Sequence, residues 1–451
     1  MRALVLTPPP AAARRRRSQH TSTSLEVRDI KTPVPHAPGW VLVRPALAGI
    51  CPSDLDLVAY GAEPTSLDGH PLTRPLVPGH EVVGVVERAS ATRWAREGHR
   101  VLVEPTLTCA HKGIPECPRC RAGDTHLCEN ADRSGTLCSG RAVGSSERTG
   151  GGWSEGFLVH EDMLVPADGI SDQRGVLAEP AATALHAVFR WQRRGERAVV
   201  IGGGTLASLI VATVKRLAPE VDVTVIHDVD AAKPERRRGR RGAAERVHSV
   251  PAVKPAGAAR VWRGTADELI ERSADLVNAR IIRSDDGRAP VLDRGVDAVF
   301  DCRGTAATLD LGVRLLRGGG TLVLSGPSGR HEMDWPLIWA RELTVSGSAF
   351  YGREPNGRRT FAVVREWLTD ASFPVDSLVT HRFPLDEYHS ALAIAGAGAS
   401  VGAVKVVFEG PEATFRRHAA GVEPEQALDD APVLLESTAA RVRAERRSAS
   451  G

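Results

Sequence analysis

Apolar positions in the first third of the chain fall in short runs, such as Trp40 to Arg44 and Glu81 to Glu87, separated by turn residues and showing little helical periodicity. That texture predicts an all-β domain. Near Leu177 the spacing changes: LAEPAATALHAVFRW places apolar residues at helical intervals, and AVVIGGG follows as a strand that ends on glycines. From there strands and helices alternate. The runs VDVTVIH, VDAVFDC, GTLVLSG and LTVSGSA are short, continuous and β-branched, as strands of a parallel sheet covered on both faces should be. Helices are predicted over Thr205 to Leu217 and Ala306 to Leu316, the second stopped by Gly318, Gly319 and Gly320. The expectation is an α/β fold, with a β domain over residues 1–186, a doubly wound parallel sheet over 187–350, and residues 351–409 returning to the first domain through the strand-like run GAVKVVFEG.

Composition narrows the class. With 451 residues, 42% hydrophobic and 25% charged, the chain is long enough for two or three domains and is neither collagenous nor wholly disordered. Its net charge of +3 gives no general pull toward nucleic acid or a membrane, so neither is expected as a partner. Seven cysteines are an odd count, and five of them crowd between Cys109 and Cys138; this suits a metal loop in a reducing compartment, and a cytoplasmic protein is expected. MRALVLTPPP lacks the apolar core of a secretory signal, and the uncharged run from Arg197 to Lys215 carries glycines that suit a strand, turn and helix. Pro8 to Ser24, the basic Lys233 to Arg246 and the tail of residues 410–451, with a helix around Leu434 to Arg446, read as surface additions.

Three groups of residues carry chemistry. Cys117-x2-Cys120-x7-Cys128, with Cys109 eight residues ahead of Cys117, offers four thiolates in one loop, the donor set of a closed tetrahedral zinc site; Cys138 lies outside the spacing. GICPSD at Gly49 to Asp54 and PGHE at Pro78 to Glu81 supply Cys51 and His80, and Glu81 and Glu179 add carboxylates, so that an open metal site can be assembled. Gly202-Gly203-Gly204-Thr205-Leu206-Ala207 fits G-x-G-x-x-G/A at a strand-to-helix turn, where Gly202, Gly204 and Ala207 let a pyrophosphate approach the helix N-terminus. Asp228 stands 21 residues beyond Ala207 (228 − 207), close to where an acid holds the ribose hydroxyl of NAD.

Together these motifs, with LAEPAATALHAV, resemble the zinc-dependent medium-chain dehydrogenase/reductase family of alcohol and polyol dehydrogenases. The resemblance implies a GroES-like β domain, a Rossmann domain, and two zinc ions per chain, one catalytic and one structural. It implies Cys51 and His80 as catalytic-zinc ligands, Glu179 as a carboxylate near that zinc, and Glu81 as a residue able to swing onto the metal. Asp54 would orient His80, and Ser53 would contact the alcohol. Two departures stand out: Asp56 occupies the place of a proton-relay histidine, and Cys109 lies farther from Cys117 than the common loop has it.

The resemblance implies hydride transfer between a secondary alcohol, polyol or sugar-like cyclitol and a nicotinamide cofactor; the position of Asp228 favours NAD, with NADP possible. Arginines between Arg236 and Arg241, or His227 under a one-residue shift of register, would favour NADP instead. The partners expected are a small alcohol or ketone and one or three further copies of the chain, as a homodimer or homotetramer. A non-catalytic scaffold and a zinc-independent quinone or enone reductase are the rival readings; the intact metal set argues against both.

Overall fold

The computed structural model describes residues 1–8, 23–60, 72, 74–191, 195–230, 254–283, 290–326 and 329–411. Pro8 apart, most of the Pro8 to Ser24 segment, the Lys233 to Arg246 run and the helix expected around Leu434 to Arg446 lie outside the described residues. The chain divides into two compact units, one holding residues 1–182, 350–397 and the strand from Lys405, the other holding 183–349 and 398–404.

In chain order the strands are β1 (Arg2–Thr7), β2 (Ser24–Asp29), β3 (Trp40–Gly49), β4 (Val82–Ala89), β5 (Arg100–Val103), β6 (Phe157–His160) and β7 (Leu164–Pro166). There follow β8 (Arg197–Ile201), β9 (Asp222–Asp230), β10 (Arg260–Thr265), β11 (Ile281–Ile282), β12 (Val291–Leu292), β13 (Val296–Asp301), β14 (Leu316–Leu324) and β15 (Thr344–Gly347). Strands β16 (Val379–Phe383) and β17 (Lys405–Glu409) end the series.

The first unit is built on a sheet of order β16-β17-β3-β4-β5-β7, with β6 also paired to β3. All its pairings are antiparallel except β16 with β17. Every residue of β17 is buried, including Lys405 and Glu409, so this strand lies inside the unit and its charged ends need internal partners. β1 and β2 form a separate ribbon, joined through a bridge between Leu6 and Leu76 that closes a small apolar cluster with Leu57.

The second unit carries a wholly parallel sheet of order β10-β9-β8-β13-β14-β15. Strand order reverses between β8 and β13, and a crevice beyond the carboxyl ends at such a point is where open α/β sheets take ligands. Val199, Ile201, Val299, Leu311 and Leu322 join one core cluster from strands and a covering helix, which is why these runs read as continuous apolar stretches. Helix starts follow local capping: Thr265 accepts from the Glu268 N–H while the Glu268 carboxylate accepts from Thr265 N–H, fixing the entry to helix Ala266–Val277.

One sequence expectation is adjusted. The helix from Ala306 ends at Leu315, and Gly318 to Gly320 belong to β14 instead of forming a helix stop. Gly319, at φ 69°, takes the left-handed region and donates its N–H to the Arg341 carbonyl at 2.8 Å, so the glycines bend the strand's start.

Within the first unit, Arg174 ties the central region to the returning segment. It is 8% exposed; its guanidinium donates to the carbonyls of Leu368 (2.8 Å), Asp370 (2.7 Å) and Phe373 (3.2 Å) and meets Asp376 at 2.7 Å. The ion pair is worth little because Asp376 is 66% exposed, but the carbonyls lose their donor if Arg174 is removed. Arg174→Ala is expected to destabilise the protein by about 3 kcal/mol, seen as a lower denaturant midpoint with unchanged slope.

Candidate active site

GICPSD folds as a strand end running into the helix Pro52–Tyr60, with Pro52 at the first helical position, where its missing N–H costs nothing. Asp54 therefore sits in the first turn, 2% exposed, and one of its oxygens accepts the Cys51 N–H at 2.9 Å. The other lies 3.2 Å from His80 Nδ1. That contact fixes the imidazole with Nδ1 as donor and leaves Nε2 as the lone-pair nitrogen. His80 is placed by the turn before β4, where Gly79 has φ 97° and a Cβ would strike Trp153 at 2.4 Å, so only glycine fits. The Cys51 thiol lies beside the His80 ring; burial opposes charge on the imidazole, but Asp54 and then Cys51 outweigh it and raise its pKa.

Glu179, in the first turn of helix Ala178–Arg190, faces the same histidine. Burial pushes its carboxyl up to about 7, against the pull of His80 and with a further push from Glu81. The buried Tyr351 hydroxyl adjoins this carboxylate, and burial, then Glu179 and Glu104, raise its pKa. Glu81 is turned to another partner: Lys405 Nζ, from β17, contacts its two carboxylate oxygens at 2.7 and 2.5 Å and donates to the Ile50 carbonyl at 3.2 Å. The structure thus brings Cys51, His80, Asp54 and Glu179 together and holds Glu81 on a lysine. Ser53 and Asp56, three residues apart on one helix face, are both half-buried.

The sulfur, nitrogen and carboxylate donors of Cys51, His80 and Glu179 are of the kinds that bind zinc, although their ligand atoms do not all fall within 4.8 Å of one another. The second set differs. The ligand atoms of Cys109, Cys117, Cys120 and Cys128 all lie within 4.8 Å of one another, and none of the seven cysteines is in a disulfide. Cys109 and Cys128 Sγ are 3.6 Å apart, close to the roughly 3.8 Å edge of a tetrahedron built on zinc–sulfur bonds of about 2.3 Å. Asn130 Nδ2 donates to Cys109 Sγ at 3.3 Å and the Cys120 N–H to Cys117 Sγ at 3.4 Å, which supports negative sulfur at both places. The wide Cys109 spacing is absorbed by the short helix Cys109–Lys112, which ends on Gly113 at φ 66°. Cys138 donates to the His111 carbonyl and stays outside the set.

His111, His160 and Asp162 also gather within 4.8 Å. His111 Nδ1 accepts from the Thr108 N–H at 3.1 Å and the ring is engaged with the Thr106 carbonyl, so both nitrogens have tasks in packing.

In the second unit, Gly202, at φ 137°, follows β8 and donates its N–H to the Ile226 carbonyl at 2.8 Å. Gly204 caps helix Thr205–Leu217, whose first N–H groups point out of the turn, and Ala207 is buried against the sheet. Asp228 lies in β9 with its Cα paired to Arg263 of β10, and its side chain is outside the described residues. Among the described side chains, His227 is the one against the turn: a Cβ on Gly203 would fall 2.2 Å from His227 Nε2. Arg236 to Arg241 are outside the described residues.

Lys405 and Tyr351 escaped the sequence reading. A lysine inside the apolar run GAVKVVFEG was the available signal for the first; the second carried none.

Residues 37–169 match the family model of the alcohol dehydrogenase GroES-like domain, and residues 246–369 that of zinc-binding dehydrogenases. A probable D-xylulose reductase A from Neosartorya fischeri is 30% identical over 71% of this chain and 78% of its own length. D-xylulose reductase A of Aspergillus niger is 29% identical over the same shares. Among solved structures, a short chain alcohol dehydrogenase from E. coli CFT073 complexed with NADH superposes with TM-score 0.65 at 24% identity, covering 91% of this chain and 99% of the other. The 2R,3R-butanediol dehydrogenase of Bacillus subtilis gives 0.62 at 22% identity over 90% and 99%. GroES-like and Rossmann domains, two sets of zinc-compatible donors and curated relatives matched over most of their length lead to one assignment: the chain belongs to the zinc-dependent medium-chain alcohol/polyol dehydrogenase family, oxidoreductases that move hydride between an alcohol and a nicotinamide cofactor.

Proposed function

We propose that this chain oxidises a polyol or other secondary alcohol, or reduces the matching ketone, at a metal held by Cys51, His80 and Glu179. The observation that carries the reading is the His80 ring, fixed through Nδ1 by the buried Asp54 and set beside Cys51 and Glu179. Relatives named for D-xylulose, a ketose, support a polyol-type substrate. When bound, zinc would act as a Lewis acid toward the substrate oxygen. Asp54 holds His80 in the tautomer that offers Nε2. Ser53 would accept the alcohol proton, and Asp56, on the same helix face, would pass it toward solvent in the role a histidine fills elsewhere in the family. Cys109, Cys117, Cys120 and Cys128 would hold a second zinc with no open position, whose work is to fix their loop.

The exposed Trp335 and Trp339, at 66% and 82%, lie close in sequence to the edge strand β15 and support an assembly of two or four copies. Among the described residues no helix is long and apolar enough to cross a membrane. The seven free cysteines support a reducing, cytoplasmic setting.

Cys51→Ala is expected to abolish turnover on polyols while the melting temperature holds and metal analysis finds one zinc per chain in place of two. Cys120→Ser should lower the melting temperature and release zinc, because a structural metal contributes folding free energy directly; unchanged stability and metal content would remove the assignment. Lys405→Met leaves the buried Glu81 charge without its cation and is expected to cost roughly 3–5 kcal/mol of stability. The double change Lys405→Met with Glu81→Gln should recover much of that loss in a denaturant titration.

A further inference from the structure

At the carboxyl ends of β9 and β10 the second unit presents donors where the cofactor's ribose would otherwise meet an acid. His227 is 5% exposed with its ring against the middle glycine of the turn. Its Nδ1 lies 2.9 Å from Arg263 Nη2. A guanidinium has no lone pair to offer, so Nδ1 is the acceptor and Nε2 carries the hydrogen, on the side of Gly203. Arg263 spends one N–H of its fork on this contact, and its buried Nε has no hydrogen-bond partner among the described residues. Arg303 stands on the other side of the turn, its Cγ 3.9 Å from where a Cβ on Gly202 would be. Its backbone N–H, with that of Gly304, is held by Asp301, which leaves that acid occupied.

Among the described side chains, the chemistry of this corner is one-sided. A ribose 2′-hydroxyl is recognised by a carboxylate that accepts its hydrogen, whereas an imidazole N–H and a guanidinium only donate. An acceptor-rich anion answers both, and a phosphate monoester fits a guanidinium fork through two parallel hydrogen bonds. We propose that Arg263, braced by His227, holds the 2′-phosphate of NADP(H), so that this chain takes NADP(H) in preference to NAD(H). The inference rests on the dehydrogenase reading above and reverses the preference that Asp228 alone predicts. His227 is positioned by β9, whose next residue, Asp228, pairs through Cα with Arg263 just after a shift of register between Trp262 and Arg263.

The test is equilibrium binding to the full-length chain, followed by nucleotide fluorescence with NADPH and NADH and by calorimetry with 2′,5′-ADP. The parent is expected to bind NADPH at least roughly tenfold more tightly than NADH, and 2′,5′-ADP should compete with NADPH. Arg263→Gln should weaken NADPH by roughly tenfold or more and leave NADH within about twofold, which also reports that the unit is folded. Arg263→Lys, which keeps the charge and loses the fork, should fall between. A parent that binds NADH more tightly, or an Arg263→Gln variant whose NADPH to NADH ratio is unmoved, overturns the proposal; Asp228→Asn then identifies the acid as the determinant if it raises NADPH affinity. Binding of neither nucleotide would overturn the dehydrogenase reading itself.

Discussion

A carboxylate taken out of water keeps its charge only if a cation goes with it, and the first unit is organised around one such pair. Glu81, 1% exposed, follows the candidate ligand His80 directly, and Lys405, 2% exposed, answers it from β17. Breaking a buried pair of this kind costs several kcal/mol, far more than any exposed salt bridge on the surface contributes. The pair therefore fixes more than itself. β17 must run between β3 and β16 for the lysine to reach its carboxylate, and β3 leads directly into the turn bearing Cys51. Strand order in this sheet and the placing of its candidate ligands are two expressions of one electrostatic requirement.

Charge around the remaining donors follows the same logic. Asp54 is buried and answered by a backbone N–H and an imidazole; Glu179 is half-buried beside His80 and Tyr351, and desolvation pushes its carboxyl up to about 7. The neighbouring Glu104 is raised by burial and pulled back by Arg359, which sits at 2.5 Å. The cysteine loop needs no cation of this kind, since a divalent metal would supply it.

How much was legible depends on how local the chemistry is. The cysteine loop, the GICPSD turn, PGHE and the glycine turn each lie within about twenty residues, so their spacing states their geometry. The two sheets announced themselves through separated short runs and continuous apolar runs. Lys405 and Glu81 stand 324 positions apart, and no local pattern joins them. The glycine-to-strand count leads to the later part of β9, but counting does not say which of His227 and Asp228 faces Gly203, because a shift of one residue exchanges the faces of a strand. Gly318 to Gly320 misled for a related reason: three glycines stop a helix and equally permit the bent start of a strand.

The long reach between Lys405 and Glu81 also bears on how the protein is made. A ribosome releases the chain from its N-terminus at roughly 5–20 residues per second, so the segment carrying Cys51, His80 and the cysteine loop emerges well before its closing strand. Residues 183–349 have their six parallel strands together in sequence and can form their sheet while the rest is still being synthesised. The first unit has no such freedom. Until β17 arrives, Glu81 has no cation and the edge of β3 that it covers stands open, which makes the unfinished first unit the stage at which a chaperone would have most to shield.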